Sequence, residues 1–155
     1  MTAPSEASVG DPFRPSDRRD TGLRVLVAAV IDHAGRVLVL REEDEPYRKQ
    51  WVVPQGDPRP GEALPVAVAR EVREELGLEV HIASLLGVYE DLRPEDSEHW
   101  IFIGYRCRLL DRSTPRPSRE AIDFAWVRPP ARTLLAPPVV RRMLADAAGV
   151  ASNPV

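Results

Sequence analysis

The 155-residue chain lacks the features that mark secreted, disulfide-rich or membrane-spanning proteins. It contains one cysteine, Cys107, which excludes an internal disulfide and indicates a reducing compartment. No apolar run is long enough to span a membrane, and the N-terminus lacks the apolar segment of a secretory signal. We therefore expect a cytoplasmic protein with no membrane partner.

Basic residues are not in excess either. The 21 lysines and arginines face 24 aspartates and glutamates, which gives a net charge of -3. Proteins that bind long nucleic acids neutralise phosphates with surplus basic groups, so no long nucleic acid is expected as a partner. A substrate with phosphate groups would therefore need a metal ion or locally placed arginines.

The chain does contain a dense acidic segment, GDPRPGEALPVAVAREVREELGL, at residues 56–78. Glu71, Glu74 and Glu75 are spaced i, i+3 and i+4, and these positions share one face of a helix. Three carboxylates at this spacing repel one another, and a hard divalent cation such as Mg²⁺ would offset the repulsion. The alternative interpretation is an acidic face that is simply solvated.

The same segment predicts how the helix is anchored. Val68, Val72 and Leu76 form a buried stripe beside the carboxylates. Arg70 precedes Glu74 by four residues, so it can hydrogen-bond a carboxylate and hold its rotamer.

Glu62 follows a stiff loop, residues 56–61, and stands just in front of the helix. It is interpreted either as a carboxylate favoured by the helix dipole or as an outer partner of the acidic face.

The segment reads G-x5-E-x7-R-E-U-x-E-E-x-G-U, where U is aliphatic, and it resembles the Nudix box of Nudix hydrolases at every position. The matching residues are Gly56, Glu62, Arg70, Glu71, Val72, Glu74, Glu75, Gly77 and Leu78. The resemblance implies hydrolysis of a nucleoside diphosphate linked to another group, with Mg²⁺, or Mn²⁺ in its place, as cofactor. By the same resemblance the metal ligands are Glu74 and Glu75, with the Gly56 carbonyl as a further ligand.

The resemblance leaves the general base open. Glu71 resembles either a metal ligand or the base that deprotonates the attacking water, and Glu75 is a second catalytic candidate. Glu120 is a third, because it precedes Trp126 by six residues, where many Nudix proteins carry another ligand or the base. The alternative for Glu120 is an exposed loop glutamate. Arg70 is expected to orient the ligands without touching substrate.

Substrate contacts are predicted outside the box. Arg41 ends a predicted strand where related proteins often place a phosphate-contacting arginine, and the alternative is an ordinary surface charge. Trp51 and His99 are candidates for stacking on a base. Tyr47, Tyr89 and Phe124 are weighed with them, although aromatic residues near strand ends are more often core or rim residues.

Apolar runs and alternation predict strands at residues 23–31, 36–40, 51–53, 79–91, 99–110 and 120–127, with a terminal helix to about residue 148. A turn is predicted at 32–35 and a charged loop at 92–98. Between 99 and 110 the residues alternate, which predicts one side with Ile101, Ile103, Tyr105, Cys107 and Leu109 and the other with Arg106 and Arg108. This order indicates an α+β fold, which the resemblance sharpens to an α/β/α sandwich with a mixed sheet flanked by helices.

One Nudix domain is expected over residues 21–148, after a flexible tail at 1–20 and before a frayed end at 149–155. The expected partner is a small nucleotide, and a homodimer is compatible with the sequence. ADP-ribose or an ADP-sugar, or a (deoxy)nucleoside triphosphate, are the leading substrate types. A dinucleoside polyphosphate or an RNA 5′ end is the alternative. A nucleotide-sensing module without catalysis is the non-enzymatic alternative, and the complete set of box acids argues against it.

Overall fold

The computed structural model describes residues 22–119 and 121–149. Within these ranges the elements are β1 (Leu23–His33), β2 (Arg36–Glu42), β3 (Trp51–Val52), β4 (Gln55–Gly56), α1 (Leu64–Leu76), β5 (Val80–Arg93), β6 (Glu98–Leu109), β7 (Ala121–Val127) and α2 (Pro138–Ala147). The expected N-terminal tail, residues 150–155 of the expected frayed end and the candidate Glu120 lie outside the described residues.

The strands form one mixed sheet. Its order is β3-β2-β1-β6-β5, with β4 also pairing with β1 and β7 with β2. The central strands β1 and β6 run parallel, from Leu23 opposite His99 to Asp32 opposite Arg108. The other described pairs are antiparallel.

The register places the two helices on opposite faces of the sheet. Val27 of β1 pairs with Gly56, and the Cβ direction of Gly56 points at α1. On β6, Phe102 pairs with Leu26 of β1 and with Tyr89 of β5, so Leu26 and Tyr89 face the same side of the sheet. Tyr89 donates a hydrogen bond to Asp146 of α2. Leu26 and Val27 are neighbours in β1, and neighbouring residues of a strand face opposite sides of a sheet. Helices α1 and α2 therefore cover different faces. This confirms the α+β sandwich with a mixed sheet flanked by helices.

Helix α1 follows its sequence pattern closely. Val68, Val72 and Leu76 are buried against the sheet. Gly77 ends the helix in the left-handed conformation, with φ 66°, and its N–H donates to the Arg73 carbonyl oxygen. No helix in the described ranges is long and apolar enough to cross a membrane.

Two connections are shorter than the sequence predicts. The β1–β2 turn is only Ala34 and Gly35, both with positive φ (52° and 73°), as a two-residue hairpin loop of this twist requires. The loop predicted at 92–98 is also shorter, because β5 continues to Arg93 and β6 begins at Glu98. Only a 3₁₀ turn, Pro94–Asp96, and Ser97 separate the two strands.

Strand β6 is apolar on both faces. Ile101 and Ile103, on the predicted core face, are only half-buried, whereas Trp100 and Phe102 on the other face are 6% and 0% exposed. The predicted alternation holds at 106–108, where Cys107 is buried and both arginines are exposed, but not at 100–103. A central strand between β1 and β5 is covered from both sides.

Candidate active site

Gly56 and Glu71 make the closest contact between the sheet and the acidic face of α1. A Cβ atom on Gly56 would lie 2.2 Å from the carboxyl carbon and Oε2 of Glu71. No real side chain tolerates that distance, so only glycine lets this carboxylate lie against the backbone of β4.

Arg70 gathers the surrounding carboxylates. Its Nε and Nη2 donate to both oxygens of Glu62 at 2.7 and 2.9 Å, and its Nη1 donates to Glu71 Oε1 at 2.7 Å and Glu74 Oε2 at 3.1 Å. Nη2 also donates to the carbonyl oxygen of Asp57 at 3.0 Å. One guanidinium therefore neutralises part of the repulsion that the sequence predicts for this face.

Glu62 is held on the loop side of the same network. Its Oε2 accepts the backbone N–H of Arg59 at 2.9 Å, and α1 begins two residues later with Ala63 as N-cap. The hydrogen bond from Arg70, and then that from the Arg59 backbone, lower the pKa of Glu62 to about 2. Glu62 thus bonds to Arg70, which in turn bonds to Glu71 and Glu74.

The three box glutamates differ in environment. Burial raises the pKa of Glu71, while the hydrogen bond from Arg70 works in the opposite direction. The Glu74 side chain is 51% exposed and also accepts a hydrogen bond from Arg59 Nη2 at 3.1 Å. Glu75 is half-buried, one turn beyond Glu71.

These residues fit a hard divalent cation in donor chemistry. All are oxygen donors, and the Glu71 carboxylate lies directly beside the backbone of Gly56. No group of three His, Cys, Asp or Glu side chains in residues 22–119 and 121–149 converges in metal-binding geometry. Because Arg59 and Arg70 hold the two oxygens of Glu74, a cation beside Gly56 and Glu71 would need the Glu74 carboxylate to turn away from these arginines.

A cleft of about 320 Å³ opens beside this contact. Gln55, Gly56 and Glu71 line one side of it. Five carboxylates and one guanidinium, that of Arg24, belong to its lining. The carboxylates are Glu42, Asp44, Glu45, Asp57 and Glu71. An anionic group cannot enter such a cleft favourably unless cations accompany it.

The far wall of the cleft is aromatic. The sequence indicated Tyr47 as a stacking candidate, but Trp100 was missed. Tyr47 and Trp100 line this wall, with ring centroids 5.8 Å apart in an edge-on arrangement. Arg24 lies 4.7 Å from the Trp100 ring centroid and donates twice to the Asp57 carboxylate, at 3.2 and 2.5 Å. Arg93 lies 4.0 Å from the same centroid. The signal in the sequence was the second apolar face of β6.

The predicted substrate residues lie elsewhere. Arg41 and Trp51 are paired across β2 and β3, and neither lines the cleft, although the next residue, Glu42, does. His99 is on the opposite face of β6 from Trp100, with Nε2 3.7 Å from a Glu90 oxygen. The structure therefore brings Glu62, Glu71 and Glu74 together on Arg70, with Gly56 against Glu71, and leaves Arg41, Trp51 and His99 apart from them.

Comparisons with known proteins agree with this arrangement. The NUDIX domain family model matches residues 20–146. The chain is 29% identical over 120 residues to human 8-oxo-dGDP phosphatase NUDT18, covering 77% of this chain and 36% of that protein. It is 28% identical over 118 residues to the nucleoside triphosphatase NudI of Escherichia coli K12, covering 68% and 82% respectively.

Among solved structures, a MutT NUDIX hydrolase from Burkholderia pseudomallei superimposes with a TM-score of 0.69 at 26% identity. The match covers 83% of this chain and 98% of that one. The chain spans only about a third of the length of NUDT18. The family match over most of the sequence, the sheet between two helices and the box residues gathered around Arg70 lead to one conclusion: this chain belongs to the NUDIX domain family.

Proposed function

We propose that this protein hydrolyses a phosphoanhydride bond of a small nucleotide with the help of a bound divalent cation. The observation that carries the proposal is the Glu71 carboxylate lying against Gly56 at the edge of the cleft. The acidic lining of that cleft supports it, because a nucleotide would enter such a site together with metal ions.

The proposed oxygen ligands are the Gly56 carbonyl and the carboxylates of Glu71, Glu74 and Glu75. A bound Mg²⁺ or Mn²⁺ would neutralise phosphate oxygens and lower the pKa of the attacking water. Arg70 holds Glu71 through Oε1, so that Oε2 stays on the Gly56 side, where it can accept the proton of that water. Glu75 and Glu120 remain the other candidates for the base.

The sequence favours two substrate types: ADP-ribose or an ADP-sugar, and a (deoxy)nucleoside triphosphate. Similarity to proteins named as an 8-oxo-dGDP phosphatase and a nucleoside triphosphatase supports the second type. We propose a (deoxy)nucleoside di- or triphosphate as the substrate.

The test is a panel of nucleotides incubated with Mg²⁺ or Mn²⁺, with the products identified by mass. It should include nucleoside triphosphates and diphosphates, ADP-ribose, a dinucleoside polyphosphate and a 5′-triphosphate RNA. We expect turnover of nucleoside tri- or diphosphates that disappears in chelator. Tight binding of one nucleotide without turnover of any would contradict the proposal and favour the sensing module.

Glu75→Gln tests the ligand assignment. The substitution removes one carboxylate charge but keeps the shape, so kcat should fall at least about a hundredfold while the fold survives. The matched control is Glu79→Gln, because Glu79 lies just beyond the same helix and pairs with exposed Arg73. Near-normal turnover in Glu75→Gln, measured at saturating metal, would refute the role.

A further inference from the structure

A second cavity lies at the other end of the sheet, and none of the described residues proposed for hydrolysis lines it. It encloses about 470 Å³ between the β1–β2 turn, β7 and the loop that follows β6. We call it the distal cavity. The residues used below are His33, Arg112, Ser113, Thr114, Phe124 and Trp126.

The distal cavity is separate from the cleft. Strand β1 connects the two, since Val27 pairs with Gly56 and His33 lies six residues further along. At a rise of about 3.3 Å per residue the separation is about 20 Å. A ligand the size of a mononucleotide cannot occupy both sites at once.

The walls of the distal cavity are suited to a planar ring. Phe124 and Trp126 are two residues apart on β7, so both side chains face the same side of the sheet. The His33 ring lies 5.6 Å from the Trp126 ring, tilted by 54°. A pocket of this size with aromatic walls and few polar groups is typical of small-molecule sites.

Its polar groups favour an anion. Arg112, Ser113 and Thr114 are among the residues that line the cavity. Among the described residues no carboxylate lines the cavity, and Arg112 has no ion-pair partner there. The cleft beside Gly56 has the opposite charge, with five carboxylates in its lining.

The loop that contains these three residues is fixed in place. The Ser113 N–H donates to Asp111 Oδ1 at 2.9 Å. Further along, the N–H groups of Arg116 and Ser118 donate to the carbonyl oxygens of Leu76 and Glu75 at the end of α1, both at 2.9 Å. A wall held by such contacts loses little conformational entropy when a ligand binds.

We propose that the distal cavity binds a small molecule that combines a planar aromatic ring system with an anionic group. The ring packs against Phe124 and Trp126, and Arg112 hydrogen-bonds the anion. The site stands independently of the proposed hydrolysis, since it uses none of the same residues.

The probe is AMP, added to the full chain in the presence of EDTA so that metal-dependent binding in the cleft is suppressed. NMR of the three tryptophan indole N–H groups reports the site, because Trp126 lines the distal cavity and Trp100 lines the cleft. We expect a saturable shift of the Trp126 signal with Kd below about 1 mM. Adenosine and ribose 5-phosphate, which each lack one half of the probe, should bind at least about tenfold more weakly.

Arg112→Gln should weaken AMP binding about tenfold by removing the charged donor. Arg132→Gln is the matched control: this arginine is also exposed and lines neither cavity. The proposal is overturned if only the Trp100 signal responds, if no saturable binding occurs, or if both variants bind AMP as the wild type does.

Discussion

Gly56 is the backbone position of the cleft at which a side chain has no room. Its contact with Glu71 depends on the absence of one methyl group, because a Cβ would lie 2.2 Å from the carboxylate. Arg70 adds the second constraint, since it holds the same carboxylate through Oε1. The position of Glu71 is thus set by a glycine on one side and a guanidinium on the other.

Gly56→Ala should displace the Glu71 carboxylate. We expect a loss of about 1–3 kcal/mol in unfolding free energy from overpacking, and a fall in kcat of at least about a hundredfold. Denaturant unfolding and steady-state kinetics measure the two effects. Gly56→Ala combined with Glu71→Asp should recover stability, because the shorter side chain makes room, but not activity. Additive stability losses in the double variant would argue against a direct clash.

The sequence predicted contacts within one helix but missed those that depend on the path of a loop or on which face of a strand is buried. Arg70 and Glu74 are four residues apart on one helix, so their hydrogen bond follows from helical geometry. The paired donation of Arg70 to Glu62 depends on the path of the loop before α1, which periodicity does not describe. Trp100 was missed because β6 was interpreted as having a single buried face.

The β5–β6 hairpin shows why charge misled the prediction of a loop. Arg93 hydrogen-bonds Glu98, lies 3.5 Å from an Asp91 oxygen and packs on the Trp100 ring. Asp91 also accepts a hydrogen bond from Tyr47 at 2.5 Å. These charges are balanced within the sheet, so the strands continue where a solvated loop was expected.

The same hairpin is tied to α2 through Tyr89. Gly87 and Gly104 face each other across the strands, and a Cβ on either would lie 3.1 Å from the Tyr89 side chain. The ring therefore lies over both glycines. The Tyr89 hydroxyl donates to Asp146 of α2 at 2.7 Å.

Tyr89→Phe should lower the unfolding free energy by about 1–2 kcal/mol, because the Asp146 carboxylate loses a donor in a partly buried position. Denaturant titration measures it. Tyr105→Phe is the control, since the Tyr105 hydroxyl has no hydrogen-bond partner among the described residues, and should change stability by less than about 0.5 kcal/mol. Equal effects of the two substitutions would count against a specific bond to α2.

The molecule as a whole should be sensitive to alkali. Burial raises the pKa of the Cys107 thiol from about 9 to about 12. Burial and hydrogen bonds to carboxylates also raise the pKa values of Tyr47 and Tyr89.

The unfolded chain loses the Cys107 proton above pH about 9, whereas the folded chain keeps it until pH about 12. The stability due to the protonated thiol is complete below pH 9 and is lost as pH rises towards 12. The unfolding free energy should therefore fall as pH rises from about 9.5 to about 10.5. In Cys107→Ala we expect this slope to be smaller by about 1 kcal/mol per pH unit. Urea titrations across this range provide the measurement, and identical slopes would contradict it.

Strand composition and the acidic helix were enough to predict the class of the fold, because each element has its own periodicity. The pairing of β1 with β6 could not be predicted that way. Apolar runs such as Leu26–Ile31 indicate that a strand is buried but not which strand lies beside it.

The parallel pairing of β1 with β6 also affects how the chain can fold during its synthesis. The first strand, β1, emerges from the ribosome early and can form its hairpin with β2 at once. Its parallel partner, β6, is complete only when Leu109 has been added. At about 5–20 residues per second, the apolar edge of the nascent hairpin waits several seconds for its partner. Chaperones that recognise exposed strand edges would have that interval in which to bind.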